Sequence, residues 1–304
     1  MTADTSATDV ALSAPARRVR WVVAVLRTSR PRQWPKNLLV FAAPLAGATL
    51  GRRDGLLYAL VAAAAFGFAS VAVYFVNDVA DAERDRLHPR KRHRPVAAGV
   101  LPKQHAVALG AGCALIGLAV GLLIAEPLLT ATVAAYLGLS FGYSWKLKHI
   151  PVIELMFVAS GFLLRVLGGA AATHVPPSGW FLLVCSLGAL GVALAKRYTE
   201  LTNLGAEAIE HRPVMRWYRP AALRLSQIAV GACMIAAYLA WAASEHLEAR
   251  YWHLASALPL AAALVRFAFL TGRRTTAPVE DLLTRDVPML VCEACWLGLF
   301  VAGL

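Results

Sequence analysis

The chain has 304 residues, 59% of them hydrophobic and only 16% charged, with a mean hydropathy of +0.58. Those values exclude an ordinary soluble domain of this length and point to a polytopic membrane protein. The formal charge of +12 is gathered into clusters, which implies anionic lipid, phosphate or pyrophosphate as partners; nothing points to nucleic acid.

Residues 1–16 are rich in Ala, Ser and Thr and are expected to be disordered. They do not read as a signal peptide, because the charged region follows the tail and the apolar piece Trp21–Leu26 is too short. Arg17–Arg30 reads as a basic interfacial segment, so residues 1–29 form a tail and 30–304 a single membrane domain. The first span is expected over 34–50, its entry marked by Arg30-Pro-Arg-Gln-Trp-Pro-Lys-Asn37. Further spans are expected over 56–79, 104–125, 128–146, 151–172, 179–199, 223–244, 252–271 and 286–304. The expected fold is therefore all-α, a bundle of nine transmembrane helices.

Lys and Arg concentrate at the N-terminus and in alternate loops: Arg84 to Lys103, Lys146 and Lys148, Lys196 to Arg224, and Arg273, Arg274 and Arg285. The opposite loops hold only Arg52, Arg53 and Arg250. This alternation predicts a cytoplasmic N-terminus and a C-terminus on the far side of the cell's inner membrane. Gly47-x-x-x-Gly51, Gly117-x-x-x-Gly121 and Gly138-x-x-x-Gly142 suit close helix packing in lipid. The five cysteines lie in apolar stretches, and Cys292-x-x-Cys295 lacks a second ligand pair, so they read as packing residues.

The second span ends in Asn77-Asp78-Val79-Ala80-Asp81-Ala82-Glu83-Arg84-Asp85. At roughly 100° per residue, Asp78, Asp81 and Asp85 fall at about 0°, 300° and 340°, a single stripe from which Glu83 points away. Three carboxylates on one stripe repel, and they stand at a helix C-terminus where the dipole disfavours anions. A hard cation with oxygen ligands, Mg²⁺, is the natural remedy; the blander reading is an acidic helix end neutralised by Arg84 and Arg86.

The loop His88-Pro-Arg-Lys-Arg-His-Arg-Pro-Val-Ala-Ala-Gly99 follows. Its Lys91, Arg92 and Arg94 suit phosphate recognition beside a metal, or serve only as a topology signal. Arg32, Lys36 and Asn37 at the first span could hold a phosphate, with Trp34 as an interface anchor. Glu154 and Arg165 return to nearly the same face of the fifth span; for Arg165 an anionic ligand and a carboxylate partner both remain open. Lys196-Arg197-Tyr198-Thr199-Glu200 closes the sixth span, with Lys196 and Glu200 spaced as a helix-end ion pair. Ser-His-Asp, P-loop and Rossmann patterns are absent.

Asn77-Asp78-x-x-Asp81-x-x-x-Asp85, followed by Arg94-Pro95-x-x-x-Gly99, resembles the UbiA superfamily of intramembrane transferases over residues 30–304. The resemblance implies a nine-helix bundle with a central cavity open to the cytoplasmic side, most members transferring a prenyl group from a Mg²⁺-bound diphosphate. A second Asp-rich motif is expected near the end of the sixth span; Lys196-Arg197-Tyr198-Thr199-Glu200 stands there instead. That variant, with Tyr74-x-x-Asn77-Asp78, Gly161-Phe162-Leu163-x-Arg165 and Pro278-x-Glu280-Asp281, is similar to the decaprenyl-phosphate phosphoribosyltransferase branch.

This resemblance implies transfer of 5-phosphoribose from phosphoribosyl pyrophosphate to decaprenyl (polyprenyl) phosphate, toward decaprenyl-phosphoryl arabinose for cell-wall arabinan. Asn77, Asp78, Asp81 and Asp85 would hold Mg²⁺. Tyr74, Lys91, Arg92, Arg94, Arg165, Lys196, Arg197, Tyr198 and Glu200 would bind the donor, and Arg32, Lys36 and Asn37 the acceptor phosphate. A homo-oligomer is compatible with the sequence. The alternatives are a prenyltransferase using a prenyl diphosphate and, from another class, a polyprenyl-lipid transporter, which favours inverted repeats.

Overall fold

The computed structural model describes residues 14–88, 91–124, 126–145, 150–205, 208–209, 212–244, 247–273 and 279–304. The tail 1–13, Arg90, Lys146, Lys148, Arg274 and Pro278 lie outside the described residues, as does the side chain of Glu280. The described residues are helical, with no strand among them.

In chain order the helices are α1 (Ala14–Thr28), a 3₁₀ entry segment (Pro31–Phe41), α2 (Ala42–Ala46), α3 (Arg53–Leu87), α4 (Lys103–Leu123) and α5 (Pro127–Trp145). Then come α6 (Ile153–Ala172), α7 (Gly179–Leu204), a 3₁₀ turn (Pro213–Trp217), α8 (Pro220–Ser244), α9 (Leu247–Gly272), α10 (Val279–Arg285) and α11 (Val287–Ala302). Among the described residues six helices are long and apolar enough to cross a membrane: α3, α4, α6, α7, α8 and α9. Pro127–Gly142 and Val287–Ala302 are shorter apolar helices.

The first expected span is not a continuous α-helix. Pro35 and Pro44 punctuate it, with Pro31 just ahead, and each removes a backbone donor. The chain answers with an eleven-residue 3₁₀ stretch, unusually long for that geometry, and then one turn of α-helix. At about 2.0 Å per residue the 3₁₀ stretch alone covers roughly 22 Å.

The entry segment lies directly on α6. A Cβ on Gly169 would overlap the carbonyl oxygen of Val40, so only glycine permits this approach. One turn earlier on each element stand Asn37 and Arg165, which the contact brings together. Gly117 likewise admits the backbone of α3 at Ala65, whereas Gly138 faces open space and is not a packing glycine. α3 is the central element: it packs on α4, α5, α6 and the entry segment. Its 35 residues run about 52 Å, well beyond the apolar thickness of a bilayer, so the helix is longer than a span requires. Helices α7 and α8 pair, as do α9 and α11, completing the other half of the bundle.

The basic helix α1 packs Ala24 against Phe75, Ala82 and Val96 while Val19, Trp21, Val22 and Leu26 stay exposed, the form of an interfacial helix.

Candidate active site

The last turns of α3 carry the carboxylates. Asp78 and Asp85 are buried; Asp81 is about one-third exposed, with Arg84 Nη2 donating to its Oδ1 at 2.6 Å. Glu83 points away from the stripe, paired with Arg86 at 2.8 Å and Lys103 at 2.6 Å. The turn after α3 folds back on it, with Val96 and Leu101 buried and Arg86 Nε donating to Ala97 O at 3.1 Å. Gly99, at φ 74, makes the left-handed step that closes this turn. The fold-back delivers Arg94, whose Nη1 donates to Asp85 Oδ2 at 2.7 Å and lies 3.4 Å from Asp78 Oδ1.

A second arginine, just ahead of the entry segment, reaches Asp78 as well. Arg30 Nη2 donates to Asp78 Oδ1 in a very short contact, with its guanidinium 5.1 Å from the centre of the Tyr74 ring. In the sequence Arg30 only opens the Arg30–Asn37 motif, with no role of its own. Its signal is conformational: Arg30 sits at φ 50, ψ 65, a non-glycine residue in the left-handed region, immediately before Pro31.

Tyr74 and Asn77 also line a cavity of about 280 Å³, shared with Lys36 from the entry segment, Arg165 from α6 and Lys196 from α7. Aromatic rings Tyr136, Phe157 and Phe162 and the hydroxyls of Ser140 and Ser160 complete its wall. Lys196 Nζ lies 6.0 Å from the centre of the Phe162 ring.

Arg165, only 5% exposed, is held by neutral oxygens. Its Nε donates to Asn37 Oδ1 at 2.8 Å, Nη1 to Gly161 O at 2.6 Å, and Nη2 to Ser70 Oγ at 2.8 Å and Tyr136 OH at 3.1 Å. It also stands over the Tyr136 ring at 4.6 Å. Glu154, on the same helix, pairs elsewhere. Asn37, expected at an acceptor phosphate, is 8% exposed and gives its side-chain oxygen to Arg165. The close approach of the entry segment to α6 turns it inward.

The end of α7 divides between two surroundings. Lys196 faces the cavity. Arg197, one residue on and about 100° around the helix, points into a buried ion cluster instead. Its Nε and Nη2 donate to the two oxygens of Glu154 at 2.5 and 2.7 Å, and its Nη1 to Glu200 Oε2 at 2.8 Å. Arg212 Nη1 adds a bond to Glu154 Oε2 at 2.8 Å. Glu154, fully buried, draws Arg197 inward, and Glu200 caps the remaining edge of its guanidinium, so both side chains are engaged away from the cavity. Tyr218 sits beside the cluster, its hydroxyl accepting from the N–H of Val152 at 2.9 Å. Tyr198 packs with Leu155 and Leu223, and Arg224 stands 5.6 Å over its ring, so it belongs to the α7–α8 contact. Arg32 and Arg92 are exposed, Lys91 is half-buried, and Asp281 pairs with Arg285 at 3.8 Å.

Among the described residues no three His, Cys, Asp or Glu side chains converge as a ready ligand set. The donors on the inner face of α3 are nonetheless all oxygen, and two carboxylates lie within reach of a single Arg94 nitrogen. That set fits Mg²⁺, which takes one or two carboxylates and completes its shell with phosphate oxygens and water.

A profile of the UbiA prenyltransferase family matches residues 37–283. The decaprenyl-phosphate phosphoribosyltransferase of Mycobacterium tuberculosis is 34% identical over 294 residues, spanning 95% of this chain and 96% of that one. The protein of the same name from Corynebacterium glutamicum is 34% identical over 288 residues, spanning 92% and 86%. Among solved structures, a UbiA homolog from Archaeoglobus fulgidus bound to GPP and Mg²⁺ superimposes with a TM-score of 0.72 at 15% identity, over 91% of this chain and 99% of that one. That likeness is one of fold. With the profile covering most of the chain and relatives similar end to end, this chain belongs to the UbiA prenyltransferase family.

Proposed function

We propose that the chain is a decaprenyl-phosphate phosphoribosyltransferase, moving 5-phosphoribose from phosphoribosyl pyrophosphate to a polyprenyl phosphate and releasing pyrophosphate. The observation that carries this reading is the pairing of an acidic pole at Asp78 and Asp85 with a cationic cavity at Lys36, Arg165 and Lys196. A prenyl diphosphate presents one anionic end and a long apolar tail. Phosphoribosyl pyrophosphate presents anions at both ends of a small polar ring, which suits a site with cations on both sides.

Asn77, Asp78, Asp81 and Asp85 would hold Mg²⁺, which when bound neutralises pyrophosphate and eases its departure. Arg30 and Arg94, already seated at Asp78, supply fixed positive charge where the leaving group gathers negative charge. Tyr74 and Asn77 line the cavity next to the acidic pole and would flank the pentose. The lipid phosphate is anionic and needs no general base; it attacks the anomeric carbon from the face opposite pyrophosphate. Lys91 and Arg92, in the turn after α3, would steer the anionic substrates.

The wider setting follows the charge pattern. Nine membrane passages, with the entry segment and α2 as the first, a cytoplasmic N-terminus, a far-side C-terminus and a cavity mouth facing the cytoplasm agree with the Lys/Arg alternation. The product would feed arabinan assembly in the cell wall through decaprenyl-phosphoryl arabinose.

The test is an assay of purified protein in detergent with labelled phosphoribosyl pyrophosphate, Mg²⁺ and decaprenyl phosphate. Labelled phosphoribosyl lipid is expected. Turnover of a prenyl diphosphate instead would identify a prenyltransferase, and movement of lipid across vesicles without product would identify a transporter.

A further inference from the structure

Helices α1 and α4 enclose a recess of their own. Trp21 on α1 faces a stripe of α4 that runs from His105 through Leu109 and Gly112 to Ile116, and between them lies a groove of about 340 Å³. These α4 positions are spaced i, i+4, i+7 and i+11, one face of a helix, and the stripe extends for roughly 16 Å. Another face of α4 packs inward, with Gly110 and Gly117 against α3. The central cavity is lined by the entry segment, α3, α5, α6 and α7, so the two spaces share no lining residue.

The groove is polar at one end and apolar along its length. His105, exposed, stands two residues past the start of α4, next to the basic turn that follows α3. Leu109, Gly112 and Ile116 carry the groove away from that turn. A Cβ on Gly112 would meet no atom within 4 Å, so the glycine leaves room there. A length of roughly 16 Å is about half the apolar thickness of a bilayer, the depth that an acyl chain of one leaflet reaches. The charge at the polar end is one-sided. Helix α1 carries Arg17, Arg18, Arg20 and Arg27 and no carboxylate. Arg20 and Arg27 are exposed and, at i and i+7, share one face beside that of Trp21. Glu83, the carboxylate nearest the start of α4, is committed to Arg86 and Lys103. An apolar slot with a cationic fringe suits a lipid whose headgroup is anionic, and distinguishes it from a zwitterionic one.

We propose that α1 and α4 form a binding site for an anionic phospholipid of the bilayer, with an acyl chain in the groove between Trp21 and Ile116 and the headgroup phosphate met by the Arg20–Arg27 face. The site lies apart from the reaction's substrates and does not depend on the transfer described above. Its position links it to the acidic pole. Helix α1 continues through the buried Thr28 and Ser29 to Arg30, which grips Asp78, and Trp34 Nε1 donates to Ser29 O at 3.0 Å. A lipid bound here holds the helix from which Arg30 emerges.

The experiment uses the full chain in vesicles of phosphatidylcholine containing a minority of phosphatidylglycerol, with bromine on the acyl chains of one lipid or the other. Bromine quenches tryptophan emission at contact range, and the difference between each protein and its Trp21→Phe counterpart isolates Trp21. Per lipid molecule, brominated phosphatidylglycerol is expected to quench Trp21 about fivefold or more strongly than brominated phosphatidylcholine. Replacing both exposed arginines, Arg20→Gln with Arg27→Gln, should bring the two lipids to parity. Gly112→Leu fills the groove without touching the core and should remove the quenching by both lipids. Quenching of wild type in simple proportion to lipid abundance, or quenching that persists in Gly112→Leu, would overturn the site. Relief of quenching by a small amount of added decaprenyl phosphate would give the groove to a polyprenyl tail and overturn the assignment to phospholipid.

Discussion

Arg197 lays Nε and Nη2 along the two carboxylate oxygens of Glu154, at 2.5 and 2.7 Å, in a site where neither side chain is more than 8% exposed. The pair joins the start of α6 to the end of α7, and Arg212 brings in the segment before α8. Removing one partner leaves the other charge with Arg212 or Glu200 left to balance it, which costs up to about 3–5 kcal/mol. Glu154→Ala and Arg197→Ala are therefore expected to lower stability by that amount in denaturant unfolding of detergent-solubilised protein. Either variant unfolding at the wild-type midpoint would show that the cluster is not a structural clasp.

Arg30 and Asp78 tie the chain before the entry segment to the acidic end of α3. Arg30→Ala removes one charge-assisted hydrogen bond and the cation held over Tyr74. A loss of about tenfold in kcat/KM for phosphoribosyl pyrophosphate is expected, with folded protein still recovered. Asp78→Asn should go further and abolish transfer, since it removes a carboxylate that Arg30 and Arg94 both address. Wild-type kinetics in Arg30→Ala would reduce this arginine to a tether.

Divalent metal is expected to be required. Mg²⁺ and Mn²⁺ should support turnover and Zn²⁺ poorly, because the side chains on the inner face of α3 offer oxygen and neither imidazole nor thiolate. Full activity in excess chelator would contradict the metal assignment of Asn77, Asp78, Asp81 and Asp85.

Asp286 caps α11, accepting from Met289 N at 3.0 Å, and receives Arg266 Nε and Nη2 at 3.0 and 2.9 Å. The Arg266 hydrogen bond, with the capping N–H, holds its carboxyl below the usual carboxylate range. A lowered folded-state pKa means the stabilisation is complete above the unfolded carboxylate value, near 3.9, and is lost as pH falls through the lower folded value. The melting temperature of wild type should therefore fall toward that of Asp286→Asn as pH drops below about 4. An Asp286→Asn difference that stays constant from pH 7 to pH 3 would show that the pair does not contribute in this way.

The acidic end of α3 could be read from spacing, because helical periodicity alone puts Asp78 and Asp85 on one face. The apolar helices could be read for the same reason, through length and hydropathy. The entry segment could not: hydropathy is blind to the difference between an α-helix and a proline-punctuated 3₁₀ stretch. The orientation of Arg197 could not be read either, because adjacent residues share a motif in sequence while facing different surroundings on a helix. Glu154, 43 positions away, decides where Arg197 points, and local pattern carries no trace of that partner. Arg30 is illegible for a related reason, since 48 positions separate it from Asp78.

The neighbours Lys196 and Arg197 provide the sharpest contrast. Both stand where the larger family is expected to carry a second Asp-rich motif, yet only Lys196 lines the cavity. Lys196→Ala should remove a charge-assisted contact to the donor, of about 1.5–3 kcal/mol, or roughly ten- to a hundredfold in donor efficiency. If the contact exists in the ground state, the loss appears as a higher donor KM with kcat little changed. Stability should hardly move, because Lys196 is outside the Glu154 cluster. Arg197→Ala should show the reverse: low yield and low stability, with the surviving folded fraction keeping a donor KM near wild type. Prenyl diphosphate should neither serve as a donor nor compete strongly in either variant. Steady-state kinetics and unfolding curves on the two proteins, prepared side by side, separate the roles. A normal donor KM in Lys196→Ala would remove that lysine from the site, and with it the contrast on which phosphoribose is preferred to a prenyl group.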